Sequence, residues 1–219
     1  MKLSLRTSQD SRRAFTLVEL LVVIAVLAIL MGLLFPVISA VMERSRRLQA
    51  RNDELQIISS INAYYTDYQK YPVDPAAKPG DAVYSTDNNK LFDVLRNITG
   101  TSPGNSLNSR GVFYLTGVSF VQDGNHPRNG IQASTGVWYD PWGSPYNVAV
   151  DGNYDNQLNS PSPLPNFYSD VGPLQLGVIA WSFGKNGQLG GGPAATSFFG
   201  SEGGTPGKLS GSGDVVSWK

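Results

Sequence analysis

The most distinctive pattern in the chain is an apolar run near its N-terminus, RRAFTLVELLVVIAVLAILMGLLFPVISA at residues 12–40. No side chain between Leu20 and Ile38 is charged, and the run continues to Met42. About 20 apolar residues in a helix span the hydrocarbon core of a bilayer. The pattern therefore predicts a membrane-spanning helix, with one acidic residue, Glu19, at the edge of the apolar run.

Apolar residues recur with helical spacing beyond this run. The members of this stripe are Leu55, Ile58, Ile61, Tyr65 and Tyr68. Their spacing of three or four residues predicts an amphipathic helix that continues to Tyr71 and turns its stripe toward a globular domain. Pro72 ends the helix, because proline cannot donate a helical hydrogen bond.

The remaining sequence predicts a small globular domain with one short helix and several strands. The helix is expected from Asn89 to Ile98, with Gly100 as its stop. The predicted strands are Val112–Val121, Tyr146–Val150, Leu176–Phe183 and Val215–Trp218. The expected fold class is α+β, in which a long N-terminal helix, transmembrane in its first half, packs on a small antiparallel sheet with long loops.

Composition restricts the chemistry of the chain. It has 219 residues with one histidine and no cysteine, so disulfides, thiolate metal sites and histidine-pair zinc sites are not expected. Residues 1–14 carry four basic and one acidic residue, and the rest carries 13 basic and 16 acidic residues, a net charge of −3. A slightly acidic body does not favour nucleic-acid binding. We therefore expect neither an enzyme nor a nucleic-acid-binding protein.

Four arginines follow the apolar run: Arg44, Arg46, Arg47 and Arg51. One interpretation is a solvated helix face. The alternative is a surface that contacts anionic lipid or acidic groups of a neighbouring subunit.

Two ordinary explanations compete for the N-terminal segment. A secretory signal peptide also has a basic start and an apolar stretch, but that stretch is about 7–15 residues long, shorter than the run seen here. A plain membrane anchor fits the length and leaves the order of residues before the run unexplained.

That order, Arg12-Arg13-Ala14 followed by FTLVELL, resembles the class III signal of type IV pilins and pseudopilins. The resemblance implies cleavage between Ala14 and Phe15 by a prepilin peptidase, and N-methylation of Phe15. Family members usually have glycine where this chain has Ala14. Glu19 becomes the fifth mature residue, and Pro36 takes the place of a helix-kinking proline found in many pilins.

Glu19 has two interpretations that can hold at once. Its carboxylate lies one helical turn after Phe15, so it can neutralise the amine freed by cleavage, on its own chain or on a neighbour in a filament. Alternatively, Thr16 and Glu19 form a capping box that opens the helix.

Three C-terminal motifs resemble the major pseudopilin of type II secretion. They are WYDPWGSPY at residues 138–146, WSFGKNG at 181–187 with a Gly-Gly pair at 190–191, and GDVVSW at 213–218. The resemblance implies a calcium ion in the C-terminal loop, with Phe183 (through its carbonyl), Asn186 and Asp214 as candidate ligands. Calcium takes six to eight oxygens, so this set is sparse.

The resemblance implies a pilin-like organisation. It comprises a leader (1–14), a transmembrane and assembly helix (15–42), its amphipathic continuation (43–71) and a periplasmic globular domain (72–219). The expected function is a structural subunit that is cleaved, methylated and assembled into a type II secretion pseudopilus that drives protein export. The alternatives are a type IV pilus subunit for adhesion, motility or DNA uptake, and a membrane-anchored binding domain that does not assemble.

The same resemblance implies the location and the partners. The chain is expected in the bacterial inner membrane as a single-pass protein, with a cytoplasmic N-terminus and a periplasmic C-terminal domain. The filament would lie in the periplasm or at the cell surface. The expected partners are further copies of the chain, the prepilin peptidase, minor pseudopilins, the inner-membrane assembly platform and the lipid bilayer.

Overall fold

The computed structural model describes residues 16–73, 80–98, 107–124, 126–159, 164–165, 167–190, 205 and 207–219. Its elements in chain order are α1 (Leu17–Tyr68), β1 (Ala82–Tyr84), α2 (Asn89–Leu95), β2 (Phe120–Val121), β3 (Gly130–Gln132), β4 (Trp138–Tyr139), β5 (Asn147–Val150), β6 (Val178–Ser182), a 3₁₀ helix (Gly184–Asn186) and β7 (Val215–Val216). The layout is α+β, with a long N-terminal helix followed by small sheets. The predicted fold class is confirmed.

The contacts divide the chain into two units, Met1–Met42 and Glu43–Lys219. The described residues of the first unit form the beginning of α1, and its large apolar side chains are exposed. Leu17 is 80% exposed and Leu33 is 68% exposed, so this surface is apolar without being buried in its own chain.

Helix α1 ends at Tyr68, three residues before the predicted end at Tyr71. Gln69 adopts a left-handed backbone conformation with φ of 54° and thereby stops the helix. Its N–H still donates to the carbonyl of Tyr65 at 2.8 Å. The helix therefore ends before Pro72 is reached.

The second unit holds two sheets. The larger has the strand order β1-β5-β6-β7, with each neighbouring pair antiparallel. The smaller has the order β2-β3-β4, in which β2 and β3 are parallel and β3 and β4 are antiparallel. Strands β5 and β6 are buried along their whole length and form the centre of the larger sheet.

The face of α1 that packs into the core differs from the predicted stripe. The fully buried residues of this face are Ala50, Glu54, Ile57, Ile61 and Tyr64. Only Ile61 belongs to both sets, and the predicted core residue Leu55 is 49% exposed. The helix is rotated from the predicted orientation, and a charged residue, Glu54, occupies its buried side.

Helix α2 ends at Leu95, not at the predicted Ile98. Asn97 has φ of 53°, and the N–H of Ile98 donates to the carbonyl of Asp93 at 2.8 Å. This is the Schellman arrangement, with asparagine supplying the left-handed residue. The predicted stop, Gly100, lies outside the described residues.

The predicted strand over residues 112–121 is mostly wrong, because only Phe120–Val121 form a strand. Gly117 has φ of 75°, which interrupts an extended backbone in the middle of that segment. The other three predicted strands contain β5, β6 and β7, although the observed strands are shorter.

Candidate functional site

Helix α1 opens with a capping box formed by Thr16 and Glu19. The N–H of Thr16 donates to Glu19 Oε2 at 2.8 Å, and the Thr16 hydroxyl donates to the same oxygen at 2.8 Å. In return, the N–H of Glu19 donates to Thr16 Oγ1 at 3.2 Å. Two backbone N–H groups that lack helical partners are thereby satisfied. The predicted capping box is confirmed, and it turns the Glu19 carboxylate toward the N-terminal end of the helix.

The helix that follows this box is long and apolar enough to cross a membrane. In its most apolar stretch of 18 residues, no residue is buried by the rest of the chain. Glu19 is the only ionisable residue between Leu17 and Met42. A charged group at the centre of a membrane-spanning helix costs about 3 kcal/mol on membrane-insertion scales, and ionisable residues within such segments are usually paired. The segment therefore combines an exposed apolar rod with one acidic group at its start.

Two of the predicted site residues, Ala14 and Phe15, lie outside the described residues. Pro36 lies within helix α1, and its side chain lies outside the described part of the chain. The roles predicted for Ala14, Phe15, Glu19 and Pro36 in cleavage, methylation and assembly stay predictions.

The WYDPWGSPY motif forms a tight turn organised by Asp140. Its Oδ1 accepts the backbone N–H groups of Trp142, Gly143 and Ser144 at 3.0, 2.7 and 2.8 Å. Its Oδ2 accepts the hydroxyl of Ser182, which ties the turn to β6. Burial raises the pKa of Asp140, while these hydrogen bonds act in the opposite direction. Asp140 is therefore the residue that holds the turn together.

The aromatic residues of this motif differ in burial. Trp138 and Tyr146 are almost completely buried and contact each other edge to face, with ring centroids 5.6 Å apart. Trp142 is only half-buried, and its indole N–H donates to Glu43 Oε2 at 3.2 Å. This bond and that from the Tyr146 hydroxyl to Asp53 Oδ2, at 2.8 Å, link the motif to helix α1.

Glu54 was not singled out by the sequence pattern, although it is one of the fully buried acids of the described residues. It is fully buried on α1, and the backbone N–H of Ser182 only partly offsets the effect of burial on its carboxyl group. The nearest cation is Arg51, whose Nη1 lies 4.0 Å from Glu54 Oε2. Loss of hydration raises the pKa of Glu54 well above its usual value.

The three candidate calcium ligands lie around the 3₁₀ helix and the start of β7. Asp214 Oδ2 accepts the Tyr168 hydroxyl at 2.6 Å and the Gly190 N–H at 2.9 Å. Asn186 donates through Nδ2 to the carbonyl of Gly190 at 3.1 Å and accepts an N–H through Oδ1. The chain's own hydrogen bonds therefore already engage the Asn186 amide and one carboxylate oxygen of Asp214.

Calcium fits this donor set poorly. Of Phe183, Asn186 and Asp214, only Asp214 carries a carboxylate, whereas calcium sites use several. Within the ranges that the structure describes, no group of three or more His, Cys, Asp or Glu side chains is arranged to hold a metal ion. Calcium binding stays a prediction that the resemblance alone supports.

An exposed apolar helix with an acidic residue in its first turn, followed in the chain by a small α+β unit, is a pilin-like layout. Comparisons with known proteins agree with it. Residues 10–35 match the family model of the prokaryotic N-terminal methylation motif. The chain is also similar to type II secretion system core protein G of Dickeya chrysanthemi. The two are 25% identical over 179 residues, which cover 80% of this chain and 95% of that protein. No solved structure matches the chain significantly. The resemblance to pilins and type II secretion pseudopilins predicted from the sequence is confirmed.

Proposed function

We propose that this chain is the precursor of a structural subunit that is processed at its N-terminus and then assembles into a type II secretion pseudopilus. The methylation motif at residues 10–35 supports the processing step. The similarity to type II secretion core protein G extends over 95% of that protein and so supports the secretion role beyond the motif. The observation that carries the proposal is the Thr16–Glu19 box at the head of an exposed apolar helix.

Processing cuts the chain between Ala14 and Phe15 and leaves a methylated amine at Phe15. A cation at the N-terminal end of a helix is unfavourable, because that end carries partial positive charge. Glu19 offsets this effect, since its carboxylate faces the first residues of the helix and bonds the Thr16 N–H at 2.8 Å. The same carboxylate can pair with the amine of a neighbouring copy.

Assembly gives the exposed apolar surface of residues 17–42 a protein partner. While the subunit is in the bilayer, lipid covers this surface, and in the filament the helices of other copies do. Glu19 enters the filament only as part of an ion pair, because an unpaired buried charge would be strongly destabilising. Because the amine that pairs with Glu19 is formed by cleavage, assembly depends on prior cleavage. Pro36 lies within the segment of the helix that packs against other copies.

The proposed orientation puts the basic leader in the cytoplasm, in line with the retention of Lys and Arg on that side. Residues 43–71 and the globular domain (72–219) then lie in the periplasm. The prepilin peptidase acts first, and the assembly platform and minor pseudopilins are the later partners. In this role the chain is structural and not an enzyme.

A surface pilus subunit is the second candidate. The connection between β5 and β6 is long, and exposed insertions often carry binding functions. Deleting the gene separates the two candidates. Loss of exported proteins from the medium supports the pseudopilus, whereas loss of surface fibres with normal export supports a pilus.

The assembly step is tested by Glu19→Ala. We expect filament yield to fall at least tenfold while the globular unit stays folded, because Glu19 lies outside that unit. The measurement is the amount of sheared or cross-linked polymer, and Asp155→Ala on the exposed surface is the control. Normal assembly of Glu19→Ala would contradict the proposed role of Glu19. Absence of polymer from the wild type as well would favour a membrane-anchored domain that does not assemble.

A further inference from the structure

Under the proposed membrane orientation, the first two arginines after the apolar run lie at the depth of lipid headgroups. Arg44 and Arg46 come two and four residues after Met42, where the apolar run ends. At about 1.5 Å of rise per residue, they lie about 3–6 Å beyond that end along the helix. The headgroup layer extends about 5–8 Å beyond the hydrocarbon on each side.

Two of the four arginines are engaged by the fold. Arg47 Nε lies 3.3 Å from Glu43 Oε1. Arg51 lies 4.0 Å from Glu54 and donates to the backbone carbonyl of Lys219. Arg47 is therefore paired within α1, and Arg51 links α1 to the C-terminal residue.

Arg44 and Arg46 are different, since neither has an ion-pair partner in the described part of the chain. Arg44 is exposed, and Arg46 is partly exposed. The nearby acids are occupied elsewhere, because Glu43 pairs with Arg47 and Asp53 accepts the hydroxyl of Tyr146.

Two arginines without an ion-pair partner in the described part of the chain are unusual on the flank of the span that the proposed orientation assigns to the periplasm. Under the proposed orientation these arginines flank the span on its periplasmic side, where Lys and Arg are usually scarce. The rest of the processed chain has a net negative charge, so the patch does not follow from a generally basic surface.

We infer that Arg44 and Arg46 bind the phosphate of anionic phospholipid headgroups and so hold the unassembled subunit at the outer surface of the inner membrane. The inference rests on the membrane orientation of the proposed function, and it does not require filament assembly. Guanidinium groups suit this role, because they form paired hydrogen bonds with phosphate oxygens. Entry into a filament then has to break these contacts.

The test is native mass spectrometry of the full chain in detergent with added phosphatidylglycerol or phosphatidylcholine. We expect wild-type protein to retain phosphatidylglycerol in preference, and Arg44→Gln with Arg46→Gln to weaken that retention about fivefold for each arginine removed. Arg128→Gln, a matched loss of charge in the globular unit, should leave it unchanged. The leader is identical in all variants, so the difference reports only the substituted positions.

Three outcomes would overturn the inference. They are equal retention of both lipids by the wild type, an unchanged preference in the double variant, and the same loss in Arg128→Gln. If the double variant keeps its lipid preference and instead loses self-association, the arginines bind a second copy of the chain. A preserved effect in protein that cannot assemble, such as Glu19→Ala, would support the lipid site even if the filament proposal failed.

Discussion

Glu54 is fully buried on the side of helix α1 that packs into the core. Burial is the main reason why the pKa of this carboxyl group rises, and the charges of Asp53 and Asp140 raise it further. Arg51, at 4.0 Å, and the backbone N–H of Ser182 act in the opposite direction. A negative charge on Glu54 would in turn raise the pKa of the Tyr146 and Tyr168 hydroxyls. The uncharged acid is the form that suits this position.

A raised pKa in the folded state makes the stability of the globular unit depend on pH. The folded chain binds a proton at Glu54 more tightly than the unfolded chain, whose pKa is near the usual 4.5. The stabilising contribution is therefore fully present below about pH 4.5 and is lost as the pH rises through the folded pKa.

We expect Glu54→Gln to stabilise the globular unit at pH 8 by about 1–3 kcal/mol, because the amide cannot become a buried charge. At pH 4.5 the two proteins should have similar stabilities. The measurement is urea unfolding in detergent followed by tryptophan fluorescence, since all four tryptophans lie in the second unit. Asp155→Asn, at an exposed position, is the control.

A stability difference that is the same at both pH values would contradict this explanation. It would show that the substitution changes stability through packing or a new hydrogen bond, and not by removing a buried charge.

At the level of elements, the sequence predicts helix α1 well and its orientation poorly. Length, apolar content and Pro72 were sufficient to predict one helix to within three residues of its observed end. The sequence does not reveal the buried face of α1, because Glu54 interrupts the apolar spacing of Ile57, Ile61 and Tyr64. A glutamate is expected to face water, whereas tertiary packing places Glu54 in the core.

Several short strands could not be predicted for a related reason. Strands β1, β3 and β4 have two or three residues each, too few for an alternating pattern to be visible. Their pairing depends on distant partners, as when Val83 of β1 pairs with Ala149 of β5. Such partners are set by the tertiary fold and not by the local sequence.

The turn after β6 depends on Gly184. This residue has φ of 65°, and a Cβ atom there would lie 2.6 Å from the carbonyl oxygen of Gly213. Gly117 has a similar φ of 75° and nothing within 4 Å of the same position. Substitution of Gly117 by alanine therefore tests the backbone strain alone, and substitution of Gly184 tests the same strain together with a steric clash.

We expect Gly117→Ala to destabilise the globular unit by about 1 kcal/mol through backbone strain alone. Gly184→Ala should cost about 1–3 kcal/mol more, because the residue beside β7 has to move. Thermal unfolding of both variants in detergent measures the difference. Equal losses would mean that the Gly184 turn relaxes freely and does not fix the C-terminal segment.

At the level of the whole molecule, the C-terminal segment is held to the domain by hydrogen bonds through Asp214. Its Oδ2 accepts from Tyr168 at 2.6 Å and from Gly190 at 2.9 Å. The resemblance to the major pseudopilin of type II secretion implied Asp214 as a candidate calcium ligand. The bond to Tyr168 could not be foreseen, since the two residues lie far apart in the chain.

We therefore expect the globular unit to stay folded in excess EDTA, with Asp214→Ala losing about 2–4 kcal/mol of stability under the same conditions. Tyr168→Phe should lose less, because one hydrogen bond is removed. The measurement is tryptophan fluorescence during urea unfolding with EDTA or calcium. Unfolding of the wild type by EDTA would show that calcium, and not this hydrogen-bond pair, holds the segment.

The central claim is that the chain is cut between Ala14 and Phe15 before it acts. The most direct measurement is mass spectrometry of the protein extracted from the membranes of its native host. We predict a chain that begins at Phe15 and carries one added methyl group on its terminal amine. An intact Met1 terminus, or a cut beyond Ala40, would contradict the claim.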